Sequence, residues 1–136
     1  MPGSKAIYTS ADEPGLIYDV LSVSPESYAK DKAKWTKVAK VWYRIVDYLK
    51  DPKTADDAIS IMSSRVGLKP AEYKSFVKGT KILTLEEAKG LYKKGSGFTS
   101  VYGSTKIADD FNVANQVYDK PLDVDSYIDA ALTKGL

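Results

Sequence analysis

The stretch SADEPGLIYDVLSVSPE, Ser10 to Glu26, decides the fold reading of this chain. An acidic pair and Pro14-Gly15 lead into LIYDVLSVS. There Leu16, Tyr18, Val20 and Ser22 fall on one face, and Ile17, Asp19, Leu21 and Val23 on the other. That period of two predicts a strand. KAIYTS, Lys5 to Ser10, predicts a shorter strand before the Pro-Gly turn, where Gly15 is free to take positive φ. At Ser24-Pro25 the period changes to 3.6. Ser24 can cap a helix, Pro25 suits its first position, and Glu26 complements the positive end of the helix dipole. A lone carboxylate in an apolar strand needs compensation if buried, so Asp19 is a candidate ligand contact. Hydrogen bonds from backbone or tyrosine groups would account for it equally well.

Helices follow. Trp35, Val38, Ala39, Trp42, Ile45, Val46 and Leu49 recur at three- and four-residue steps and predict a helix over 32–49 with these side chains inward. Asp51-Pro52 stops it. A second helix is predicted from Thr54 to Val66, packing Ala55, Ala58, Ile59, Met62 and Val66, with Gly67 closing it. Pro70 opens a short helix ended by Gly79. In TLEE, Thr84 and Glu87 form a capping box for a helix reaching about Lys94. GSGF, Gly95 to Phe98, reads as a joint before a helix near 99–114, with Val101, Ile107, Ala108 and Phe111 inward. PLDVDSYIDAAL predicts a turn and a terminal helix starting near Asp123. The fold class is therefore mainly α with one or two N-terminal β-strands, in a single domain over 1–136.

Composition removes whole classes of chemistry. The 136 residues carry 20 basic and 18 acidic side chains, a net charge of +2, which gives no basic footprint for nucleic acid. There is no cysteine, hence no disulfide, thiolate metal site or cysteine nucleophile. There is no histidine, so the commonest general base and zinc ligand are missing. No apolar run approaches the roughly 20 residues that span a bilayer. MPGSK lacks the apolar core of a signal peptide, and residues 1–4 read as a start segment.

YTSADEPGLIYDVLSVSPESYAKDKAKWTKVAKVWYRIVDYLKDP resembles a segment of ABC-transporter substrate-binding proteins of the nitrate, sulfonate and taurine class, which includes thiamine-precursor binders. The PG-x-I-x-D-V-L-x-V pattern is similar to the strand that returns from the second lobe to the first. The short helix SPESYAKD and the long aromatic-bearing helix follow it in the same order. The resemblance continues through DDAISIMSSRVGLKPAEYKSFVKG, LTLEEAKGLY and LDVDSYIDAAL, covering nearly the whole chain from Ile7. Family members are about twice this length or more. The resemblance thus implies the C-terminal portion of a solute-binding protein, a partial lobe of an α/β periplasmic-binding-protein-like fold. It implies a small-molecule solute such as taurine, sulfonate or nitrate, an ABC permease as partner, and a periplasmic or extracellular membrane-associated location.

The same resemblance places Asp19, and less securely Asp12 and Glu13, where taurine-type binders hold the substrate amine. For Asp12 and Glu13 a solvated turn is the stronger reading. Other groups do not converge. Asp56-Asp57 and Asp109-Asp110 are neighbours about 100° apart on their helices. Asp119, Asp123 and Asp125 lack the order of a calcium loop. GSGF lacks the Lys of a phosphate loop. Trp35 and Trp42, seven apart, read as core. Neither a metal, a cofactor nor a catalytic residue is assigned, and no enzymatic activity is expected. The alternative to solute binding is a ligand-free interaction module that self-associates as a homodimer through the N-terminal strands, by pairing or exchange of Lys5 to Val23.

Overall fold

A computed structural model describes residues 3–136; Met1 and Pro2 of the predicted start segment lie outside them. The described residues form α1 (Pro25–Lys30), α2 (Lys32–Lys50), α3 (Ala55–Arg65), α4 (Pro70–Lys78), α5 (Leu85–Leu91), α6 (Val101–Ala114), a 3-10 turn (Val124–Ser126) and α7 (Ala131–Lys134). They divide into two compact units. One combines the residues up to Ser24 with Lys89–Lys134, and the other is Pro25–Ala88 with Gly135–Leu136.

No strand occurs among the described residues, so the predicted N-terminal β-strands and the α/β lobe are corrected to an all-helical fold. The reason is non-local. Alternation arranges side chains, but a strand exists only where a neighbour takes its backbone N–H and C=O groups, and an isolated hairpin is marginal in water. Residues 5–10 and 16–23 find no such neighbour. Their backbone instead makes local turns, Asp12 N–H to Thr9 C=O at 3.0 Å and Leu16 N–H to Glu13 C=O at 3.1 Å. Side-chain contacts then fix the segment. The Tyr18 hydroxyl donates to the Phe98 carbonyl at 2.7 Å, and Ser104 Oγ donates to the Gly15 carbonyl at 2.7 Å. Gly15 does take positive φ, +91°.

The helices in the Pro25–Ala88 unit follow their local signals. Asp31 caps α2 by accepting from Lys34 N–H at 2.9 Å. Pro70 stands at the start of α4. The capping box of α5 is complete: Thr84 N–H donates to Glu87 Oε2 at 2.8 Å, and Glu87 N–H donates to Thr84 Oγ1 at 3.3 Å. α2 packs on α3 and α3 on α4 around Ala39, Val46, Ala58, Ile59 and the fully buried Ser63. The predicted α2 core is narrower than its pattern. Ala39 and Val46 are buried, Trp35 and Leu49 half-buried, while Val38, Trp42 and Ile45 are exposed. Val66, just past the end of α3, is exposed as well. In the other unit α6 packs on the 3-10 turn, but its inward face is Val101, Gly103, Ser104 and Asp109. Ile107, Ala108 and Phe111, predicted inward, face outward. α5 ends at Leu91, short of Lys94, and the residues after it turn through Lys93 N–H to Gly90 C=O.

Candidate functional site

The three carboxylates singled out by sequence lie in the turn-rich segment before α1. Asp19 is exposed, and its carboxylate makes no hydrogen bond or ion pair among the described residues. It therefore needs no internal compensation, which removes the premise of a buried strand carboxylate. Asp12 is exposed too and closes a turn: its Oδ2 accepts from Thr9 N–H at 2.6 Å and from Thr9 Oγ1 at 2.9 Å. These two bonds, the backbone one first, hold its carboxyl below the ordinary range. Glu13 is half-buried. No hydrogen bond joins any two of the three. Asp19, exposed and without a bonding partner among the described residues, is open to a ligand cation, while Asp12 is already committed to its own turn.

The same unit contains a carboxylate that sequence reasoning passed over. Asp109 on α6 is 2 % exposed, and its Oδ1 accepts from the Tyr118 hydroxyl at 2.9 Å and from Leu122 N–H at 3.0 Å. Asn112 Nδ2 donates to the Tyr118 hydroxyl at 3.4 Å. The second oxygen, Oδ2, is buried without a partner. Asp110 beside it is exposed and pairs with Lys106. The adjacent pair thus splits into a buried acceptor and a solvated ion, as two positions about 100° apart on a helix can. Asp109 fastens the segment 118–122 to α6. Its partners lie 9 and 13 residues away, with no local motif to reveal them. The one sequence signal was its place beside Val101, Ser104 and Asn112 on a face of small and polar residues. Tyr127 nearby is pushed up by burial first, then by the negative charge of Asp109.

The Pro25–Ala88 unit carries an open apolar groove of about 510 Å³ lined by Val41, Arg44, Ile45, Tyr48, Ala58, Ile61 and Met62. Val38, Val41, Trp42, Ile45 and Tyr48 of α2 are between 39 % and 55 % exposed along this side. Tyr48 donates its hydroxyl to Asp57 Oδ2 at 2.7 Å, which pushes the phenol up. Arg44 makes no ion pair among the described residues. Trp42, read as core from its spacing with Trp35, is thus a surface residue; Trp35 alone is anchored, its Nε1 donating to Ser27 C=O at 3.2 Å. Trp42 could be placed outside only by knowing what α2 packs against.

Among the described residues no three His, Cys, Asp or Glu side chains gather as metal ligands, and no helix is long and apolar enough to cross a membrane. Comparison with protein-family models, with curated proteins and with solved structures finds no match.

Proposed function

We propose that this chain serves in solute capture for an ABC importer, as part of a substrate-binding component of the nitrate, sulfonate and taurine class. The ordered resemblance from Ile7 onward supports this reading. The observation that carries it furthest is Asp19: an exposed carboxylate without a partner among the described residues, in the segment that resembles the one bordering the cleft in those receptors. Such a group suits a small ammonium, as in taurine, through a charge-assisted hydrogen bond. In this reading the protein works outside the cytoplasmic membrane and hands its solute to a permease.

Titration of the isotope-labelled chain with taurine, ethanesulfonate and nitrate tests it by NMR. Taurine should shift amide resonances around Asp19, and Asp19→Asn should abolish the shift. Ethanesulfonate, which lacks the amine, should leave that region unmoved. A flat response to all three solutes at millimolar concentration would refute solute capture by this chain.

A further inference from the structure

Each of the two units exposes an apolar feature, and their charges are opposite. On α2, Val38, Val41, Trp42, Ile45 and Tyr48 fall at i, i+3, i+4, i+7 and i+10, one continuous stripe beside the α2–α3 groove. α2 also bears six cations against the single acid Asp47. Lys34, Lys37, Lys40 and Arg44 make no ion pair among the described residues, and Arg44 lines the groove itself. The second feature is the segment ahead of α1, where Leu16, Ile17, Val20 and Leu21 are between 42 % and 70 % exposed. No Lys or Arg occurs anywhere from Ala6 to Ala29, while Asp12, Glu13, Asp19 and Glu26 do.

We propose that residues 16–21 of one copy lie in the α2–α3 groove of a second copy, reciprocally, making a two-fold dimer. Two α2 stripes facing each other would bring five net positive charges against five, and two acidic segments would repel likewise. The acidic apolar segment on the basic apolar groove is the complementary pairing. Lengths agree as well. Drawn out, Leu16 to Leu21 spans about 17 Å, and Val38 to Tyr48 along α2 spans about 15 Å. Reciprocal exchange closes under two-fold symmetry and leaves no growing end. No strand pairing is required, since side chains and charges carry the contact. The docked segment contains Asp19, so solute and partner copy would draw on the same stretch, but neither reading rests on the other and each has its own test.

Light scattering coupled to size exclusion, from a few micromolar to several hundred micromolar, reads the dimer directly. We expect a monomer–dimer equilibrium that weakens several-fold between low and high salt, because charged groups form its rim. Leu21→Asp damages the segment and Ile45→Asp the groove. Each should weaken self-association more than ten-fold, with circular dichroism unchanged because both side chains are at the surface. Arg44→Glu should weaken it too. The decisive arm mixes the first two variants in equal amounts. The intact segment of one and the intact groove of the other restore one contact, so heterodimer should appear where neither variant alone dimerises. A wild-type chain that stays monomeric throughout, a dimer indifferent to Ile45→Asp, or a mixture that recovers nothing would overturn the proposal.

Discussion

Gly103 and Gly90 both sit inside helices, and the structure predicts opposite outcomes for the same substitution. By helix propensity alone, Gly→Ala at either position should stabilise by about 1 kcal/mol. At Gly90 in α5, an added Cβ meets nothing within 4 Å. Gly90→Ala should therefore realise most of that gain, about 0.5–1 kcal/mol. At Gly103 in α6, the Cβ would lie 2.7 Å from both Gly97 N and Ser96 C, and closer still to the Gly97 carbonyl oxygen. All three are backbone atoms, so no rotamer relieves the contact. The loop 95–100 must move, and it is tied down by Ser100 Oγ donating to Lys93 C=O at 2.7 Å. Overpacking of this kind costs about 1–3 kcal/mol. Should the Ser100 bond also break, its loss adds about 1 kcal/mol. After subtracting the propensity gain, Gly103→Ala should destabilise by about 0–2 kcal/mol with the Ser100 bond kept and by about 1–3 kcal/mol with it broken. Both residues belong to the same unit, so urea unfolding followed by far-UV circular dichroism compares them on one transition. Gly90→Ala should raise the midpoint and Gly103→Ala lower it at equal slope. Equal upward shifts for both would refute the packing described for the start of α6.

Glu87 is held down to about 2 by the Thr84 backbone N–H, then by the Thr84 hydroxyl, with Lys50 and Lys81 adding less. Because its folded value is depressed, its contribution to stability is complete above pH 4.5 and is lost as pH falls toward 2. A carboxyl NMR titration should place Glu87 well below the ordinary glutamate range, and Thr84→Ala should raise it only part of the way, since the backbone donor stays. Asp109→Ala should cost about 1–3 kcal/mol, because the Tyr118 hydroxyl and Leu122 N–H lose their acceptor in a partly buried place. Asp109→Asn keeps an acceptor oxygen and should cost less in the same urea assay. Tyr18→Phe should cost about 1 kcal/mol through loss of the bond to Phe98. Burial pushes the Tyr18 phenol up, so in a spectrophotometric titration Tyr18→Phe should remove one late, high-pH ionisation step that the wild type shows.

Legibility from sequence followed the range of the physics. The Thr84–Glu87 box, Pro70 at the start of α4 and Gly15 at positive φ are decided within four residues of chain, and the structure has each of them. The strands were illegible for the opposite reason. LIYDVLSVS has the alternation a strand needs, but alternation is silent on whether a neighbouring backbone is present, and here Tyr18 and Gly15 engage Phe98 and Ser104 instead. Trp42 failed in the same way: its spacing with Trp35 says that the two share a side of α2, not that this side is covered. For the candidate site, Asp19 was identified by type and place, yet its exposure depends on the missing strand pairing. Asp109 and Asp110 look alike in sequence, where adjacency is legible and the burial of one of them is not.

The distribution of apolar surface has a thermodynamic consequence of its own. The chain exposes 10442 Å². A compact 14.9 kDa monomer exposes about 7000 Å², and even two separate compact units of half that mass would expose about 8500 Å² together. The excess therefore does not depend on how the two units are arranged. Meanwhile Val46 and Ser63 are the largest fully buried side chains among the described residues, and the rest of the buried apolar set is mostly alanine. Little hydrophobic stabilisation is realised inside, and much remains available outside, on Trp42, Ile45, Ile17 and Leu21. Anything that covers this surface in the folded state but not in the unfolded one stabilises by mass action. The melting temperature should thus rise with protein concentration if a second copy is the cover. A dimer constant tenfold below the working concentration would contribute about 1.4 kcal/mol, and for a chain of this size each kcal/mol moves the midpoint by about 3–5 °C. Calorimetric scans at 5 and 500 micromolar should then differ by several degrees for the wild type and coincide for Ile45→Asp. Coincident scans for the wild type would show that the exposed stripe gains nothing from self-association, and that the small core suffices alone.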